Sequence, residues 1–214
     1  MIFQPSANRR FWQILVGSVL TLSLLATATW FALRPQFTRV GYAPEQPVPF
    51  SHRLHVGELG MSCVYCHSNV ERSQHATVPD SQTCMNCHQA VKPTSPLLAE
   101  VRTSFEKGTP VEWKRVHRLP DYAFFKHALH VNRGVGCVSC HGQVNEMDIV
   151  AHEKPLSMTW CLNCHRHPET NLRPLKEVTN MQWTAPHDDQ EQVGEEMKEK
   201  LHVLPTQSCQ GCHR

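Results

Sequence analysis

All ten cysteines of this 214-residue chain fall in one pattern, C-x-x-C-H, which occurs five times. The copies are Cys63, Cys66 and His67; Cys84, Cys87 and His88; Cys137, Cys140 and His141; Cys161, Cys164 and His165; and Cys209, Cys212 and His213. One chemistry needs this spacing. Two thiols add to the two vinyl groups on one edge of a porphyrin, and the short turn between them brings the next residue, histidine, beneath the iron as proximal ligand. A disulfide scaffold has no need of a histidine after every second cysteine. A thioredoxin-like redox pair would appear once, beside a βαβ pattern. Zinc sites join C-x-x-C units to each other or to a distant histidine pair, and the adjacent histidine plays no part. Five copies that leave no cysteine over point to five c-type haems.

Each iron also needs a distal ligand or an open face. The chain has fifteen histidines, and ten remain once the five proximal ones are set aside. Several of these sit in an internal repeat. Phe50-Ser51-His52-Arg53-Leu54-His55-Val56 is followed by Gly60, the motif at Cys63, Val70, His75 and the motif at Cys84. Phe125-Lys126-His127-Ala128-Leu129-His130-Val131 is followed by Gly134, the motif at Cys137, Val144, His152 and the motif at Cys161. His75 and His152 each lie nine residues before the next cysteine. The unit is a duplicated haem-pair module. In H-x-x-H the two histidines share a helix face but point to slightly different places, so one turn can serve two haems and tie them together.

The elements around these residues divide the chain as follows: 1–10, a cytoplasmic N-terminus; 11–33, a transmembrane helix; 34–49, a Pro-rich extended spacer; 50–91, a first di-haem module; 92–124, a connector; 125–165, a second di-haem module; 166–208, a haem-free insert; 209–214, a fifth haem site. Residues 11–33 carry no charge between Arg10 and Arg34. As a helix they would measure about 34 Å, enough to cross a hydrocarbon core of about 30 Å. Trp12 and Trp30 stand near its two ends, where interfacial aromatics gather. Ala26-Thr27-Ala28 offers the competing reading of a cleaved signal peptide, but the apolar run continues through Trp30, Phe31 and Leu33, which favours a retained anchor. Covalent haem is attached outside the cytoplasm, so the N-terminus is expected inside and the haem domain in the periplasm. Only 7% of the chain is aromatic, and about 180 residues would carry five porphyrins. The expected fold is therefore that of a multihaem cytochrome c: short α-helices, often one per motif, and irregular loops packed around five covalent haems, with one N-terminal transmembrane helix. The mixed-charge run HDDQEQVGEEMKEK within the insert reads as a solvated helix.

F-S-H-x-x-H followed by C-x-x-C-H resembles the class III multihaem cytochromes, the cytochrome c3 and c7 group. In its three-haem version the first histidine of the pair ligates the first haem, the second ligates the next, and the histidine before the second motif reaches the last. The resemblance thus pairs His52 with His67, His55 with His88, His127 with His141, His130 with His165 and His152 with His213. The insert before Cys209 departs from that family's compact spacing. His117, His75, His202 and Met147 therefore stay open as the fifth distal ligand, and a methionine would raise that haem's potential. His167 and His187 read as exposed or supporting residues.

Irons held from both faces by protein have no room for substrate, so no catalytic site is expected on this chain; its role is electron transport. The order of helix and motifs, with PVPFSHRLHVGELGMSCVYCH, LPDYAFFKHALHVNRGVGCVSCHG and LSMTWCLNCHRHPE, is similar to the pentahaem subunits of alternative complex III. That resemblance implies an electron-transfer subunit of a membrane quinol:electron-acceptor oxidoreductase. It also implies partners: an iron–sulfur/molybdopterin-oxidoreductase-like subunit, NrfD-like quinol-binding subunits, a monohaem cytochrome c, and a periplasmic cytochrome or copper protein as acceptor. No nucleic-acid partner is expected. The alternatives are a stand-alone quinol dehydrogenase of the NapC/NrfH kind, a multihaem nitrite- or hydroxylamine-type enzyme with an open iron, and a storage or terminal-reductase cytochrome.

Overall fold

The computed structural model describes residues 5–34 and 39–213. Parts of three expected segments lie outside the described residues: 1–4 of the N-terminus, 35–38 of the spacer, and residue 214. The first helix, α1 (Pro5–Ala32), contains a stretch, Asn8–Ala32, long and apolar enough to cross a membrane, with a mean hydropathy of 1.8 and none of it buried against the rest of the chain. Leucines, valines and aromatics therefore cover its whole circumference, as suits a helix solvated by lipid.

The rest is helical and loop-rich, and every C-x-x-C-H motif lies on a short helix. These are α2 (Cys63–Cys66), α3 (Ser81–His88), α6 (Cys137–His141), α7 (Met158–Arg166) and α9 (Cys209–Cys212). Two of them gain length from an N-cap: the Asp80 carboxylate accepts from the Thr83 amide at 2.9 Å, and the Ser157 hydroxyl accepts from the Trp160 amide at 3.3 Å. The other helices are α4 (Ala99–Lys107), ended by left-handed Gly108; α5 (His127–Val131); and α8 (Gln190–Lys200). A π-helical turn, Arg53–Glu58, carries His55, and His52 stands at its N-cap. β-structure among the described residues is an isolated antiparallel bridge, Val135 with Leu172.

Two small apolar clusters stand in for a core. In one, Met85 of α3 packs with Val48 and Val101, bordered by Leu98, Val111 and Trp113. The other is built by the insert: Leu172, Met197 and Val203, bordered by Val135, Val193 and Leu201. Val193, Met197 and Leu201 recur every fourth residue, which makes one apolar stripe on α8. The charged run is therefore a helix, as expected, but its inner face is buried rather than solvated. It is seated on residues 169–172 by the Gln190 amide, which donates to the Glu169 and Leu172 carbonyls at 2.9 and 2.8 Å.

The two halves interlock. The π turn of the first half rests on a 3-10 turn, Val144–Glu146, of the second. The Arg53 amide donates to the Met147 carbonyl at 3.0 Å, the Ser51 hydroxyl donates to Asp148 at 2.6 Å, and the Arg53 guanidinium pairs with the same carboxylate at 3.0 Å. Gly57 lies so close to Asn145 that a Cβ there would run into the Asn145 carbonyl. Conversely, α5 docks on the loop after α2: the His127 and Ala128 amides donate to the Gln74 and Ser73 carbonyls, and the Asn132 side chain to the Glu71 carbonyl.

Candidate metal centres

The duplicated F-x-H-x-x-H turns adopt the same geometry twice. Phe50 meets His52 edge-on at 4.9 Å and 87°, and lies over His55 at 4.3 Å and 24°. Phe125 meets His127 at 4.8 Å and 85°, and lies over His130 at 4.4 Å and 30°. The second histidine of each turn donates its Nδ1–H to the carbonyl four residues back: His55 to Ser51 at 2.8 Å, His130 to Lys126 at 3.0 Å. The phenylalanine is thus a wedge that sets the angle between the two imidazoles.

The same device orients four of the five motif histidines. A carbonyl can only accept, so the ring nitrogen facing it carries the proton, and the other nitrogen, Nε2, is left with a lone pair for a metal. His67 Nδ1 donates to Thr77 at 2.7 Å, His88 to Val91 at 2.9 Å, His165 to Thr206 at 2.6 Å and His213 to Tyr122 at 3.0 Å. His127 is held likewise by Gln74 at 2.9 Å. Thr77 takes a left-handed backbone (φ 57°) to aim its carbonyl, a costly conformation for a β-branched residue.

The rings then meet in twos. His55 and His88 have centroids 6.2 Å apart, His130 and His165 6.2 Å, and His127 and His141 6.4 Å with ring planes only 11° from parallel. An imidazole nitrogen about 2.0 Å from a metal puts its ring centre about 3.1 Å away, so two rings facing across one iron stand roughly 6.2 Å apart. All three spacings fit a shared iron. Among the described residues no group of three or more His, Cys, Asp or Glu side chains converges as a bare-metal site. None of the ten cysteines is paired in a disulfide.

Two histidines, His67 and then His55, act electrostatically on His52. Burial, then those two neighbours, push its pKa down to about 4, and its Nδ1 is buried without a hydrogen-bond partner. Burial also lowers His127 and His130, and takes His141 to about 3. Imidazoles held below their usual range stay neutral at physiological pH, the state in which they bind metal. Burial drives the Cys137 and Cys140 thiols the other way, to about 11 and about 12. Neither is an ionised, reactive thiol of its own accord.

The remaining candidates scatter. His152 is 1% exposed, with both ring nitrogens unpartnered; its ring contact is with His117 at 5.3 Å, and its backbone pairs with Gly41 and Tyr42. His213 makes its ring contact with Tyr122 at 5.8 Å, so the pairing of His152 with His213 is not among the ring pairs this fold brings together. His117 also packs edge-on against His141 at 4.4 Å. His117 lies outside the repeat, so that contact was not legible before the fold was known. His75 and His202 are exposed, and the Met147 sulfur accepts from the Ala151 amide at 3.5 Å. His167 pairs with Glu169 at 3.3 Å, and His187 is exposed.

The donor set, two thiols and a proximal imidazole per motif with a second imidazole across from three of them, fits haem c. Comparison with known proteins agrees. Residues 48–106, which hold the first two motifs, match the family described as cytochrome c7 and related cytochrome c. Over 106 residues the chain is 38% identical to the menaquinone reductase, multiheme cytochrome c subunit, of Nitratidesulfovibrio vulgaris Hildenborough, a match that spans about half of each chain (49% and 49%). The chain is thus similar to multihaem c-type cytochromes, with a cytochrome c7-like, helical and loop-rich fold behind one apolar N-terminal helix.

Proposed function

We propose that this chain carries five c-type haems and is an electron-transfer subunit of a membrane quinol:electron-acceptor oxidoreductase of the alternative complex III kind. Haem c, when bound, supplies reversible one-electron transfer at an iron closed to substrate. The observation that carries the reading is the three imidazole pairs at 6.2–6.4 Å, each joining a motif histidine to one from an H-x-x-H turn. The cysteines of each motif would anchor the porphyrin edge. His67, His88, His141, His165 and His213 would bind from the proximal side, and His52, His55, His127 and His130 from the distal side of the first four sites. Backbone carbonyls keep the proton on Nδ1 of seven of these nine rings, which fixes the tautomer with Nε2 free and holds the ring against rotation.

On this reading α1 is a retained anchor, the N-terminus is cytoplasmic, and residues beyond the helix are periplasmic. Partners are the iron–sulfur/molybdopterin-oxidoreductase-like, NrfD-like and monohaem cytochrome subunits, with a soluble cytochrome or copper protein as acceptor. The relative's name refers to menaquinone reduction, which favours a second reading: electrons delivered to a quinone rather than taken from a quinol.

Solubilisation of native membranes in mild detergent tests both. The expected preparation is a multisubunit complex, with five haems per copy of this chain by pyridine haemochrome and only low-spin signals from the four bis-histidine sites. Its haems are reduced by a quinol analogue on the first reading and deliver electrons to a quinone analogue on the second. A lone 24 kDa chain that itself oxidises menaquinol overturns the subunit reading in favour of a stand-alone dehydrogenase.

A further inference from the structure

We propose that the five attachment sites stand in a row ordered second, first, third, fourth, fifth, so that the first motif of the sequence is internal and the second motif forms one end. The inference rests on the haem-carrying reading above and concerns how this chain's own residues set neighbours. Four joins define the row.

The first and second sites are joined by one turn. His55 faces His88, His52 stands three residues earlier on the same turn, and the Asn86 side chain donates to the Tyr65 hydroxyl at 3.2 Å between α3 and α2. The first and third sites are joined by the insert. The Cys63 thiol contacts the Thr179 carbonyl at 3.9 Å, and the Cys137 amide donates to the Val178 carbonyl at 3.0 Å, so two consecutive residues touch both motifs. His127, which faces His141, is itself held by Gln74, seven residues past His67. The third and fourth sites share α5, where His127 faces His141 and His130 faces His165. The fourth and fifth sites share Thr206: its carbonyl accepts from His165 at 2.6 Å, and its side chain packs where a Cβ on Gly211, within the fifth motif, would fall.

The repeat explains the inversion. In each half the paired histidines bind two sites together, and the second half docks its pair on the loop that follows the first motif, not beyond the second. Redox partners would therefore meet the chain at the second and fifth motifs.

Iron–iron distances in the haem-loaded full chain, resolved within its complex, test the row directly. The expected result places the first-motif iron between those of the second and third. A second-motif iron between the first and third overturns the proposal. An independent measurement marks the third site with His127→Met, whose His–Met spectrum separates it from the rest. Removing the first haem (Cys63→Ser with Cys66→Ser) is expected to shift the marked site's midpoint potential, because a neighbouring charge acts more strongly than a distant one. Removing the second (Cys84→Ser with Cys87→Ser) is expected to shift it less, and the reverse ranking overturns the row. The distances need no substitution and decide the matter if a haem-removal variant does not fold. Mature protein without covalent porphyrin by mass spectrometry overturns the functional reading itself, whereas five haems in another order overturn only the row.

Discussion

At the scale of single residues, the organising feature is an imidazole whose Nδ1 is tied to a carbonyl so that Nε2 is free. On the proposed reading His127 is the distal ligand of the third site, so His127→Ala is expected to turn one haem from low to high spin while the others are unchanged; electron paramagnetic resonance of the oxidised protein counts the conversion. An unchanged low-spin spectrum would remove that assignment. The H-x-x-H turns were legible in the sequence because they occur twice with the same flanking phenylalanine. The fate of His75 and His152 was not. They occupy equivalent places in the repeat, yet His75 is exposed and His152 is sealed against His117, because only the second half lies under the segment at Gly41 and Tyr42. His117 supplies a pH-dependent expectation. Burial, then His152 and His127, lower it to about 4, against 6.5 for a free histidine. Between those values the unfolded chain binds the proton and the folded chain does not, so stability falls as pH drops through the window from 6.5 to 4 and is flat above it. The loss attributable to His117 is at most about 3 kcal/mol. Thermal melts across that range should show the wild type losing stability relative to His117→Phe as pH falls, whatever their order at neutral pH; a constant difference would remove His117 as the cause.

At the scale of elements, two features hold the halves in place, and each has its own substitution. The π turn that carries His55, with His52 at its N-cap, approaches the 144–146 turn so closely at Gly57 that Gly57→Ala must displace one from the other. A loss of about 1–3 kcal/mol is expected in the denaturation midpoint, together with a perturbed spectrum at the first and second sites, whose distal histidines ride on that turn. The second feature is α8. The existence of this helix could be read from its charged run, but not the role of its inner stripe. Val193 and Met197, four apart among fourteen mostly polar residues, with Leu201 just beyond, look like part of a solvated helix until Leu172 and Val203 are seen to cover them. Met197→Ala should cost about 2–5 kcal/mol by urea denaturation, the range for truncating a buried methionine, whereas Glu196→Ala on the outer face should stay within about 0.5 kcal/mol. Equal effects would mean that the stripe is not a packed interface.

At the scale of the whole molecule, the polypeptide is too thinly packed to explain its own fold. Among the described residues only eleven hydrophobic side chains are buried, six of them in the two small clusters, and the accessible surface is 14994 Å². A compact globule of 24.4 kDa would expose about 10,000 Å². The lone helix α1 accounts for part of the difference, and the walls of the motif clefts, lined by exposed or half-buried cysteines and histidines, for more. Desolvation weighs against the buried histidines as well: His117 and His152 hold ring nitrogens without partners, and each such group costs about 1–3 kcal/mol. Five porphyrins, tethered through thioethers and clamped by imidazoles, would add the apolar area that eleven side chains do not, so attachment and folding should be one event, as in small metal-dependent domains. The expected outcome is specific. A chain with all ten cysteines changed to serine, inserted in the same membrane, should keep the helical signal of α1 but lose the protection of residues 50–213 from limited proteolysis, and should show no cooperative thermal transition. The haem-loaded chain should resist protease over that span and melt in one step. A protease-resistant, cooperatively melting serine variant would mean that the two apolar clusters suffice, and that the porphyrins are passengers on a fold that stands without them.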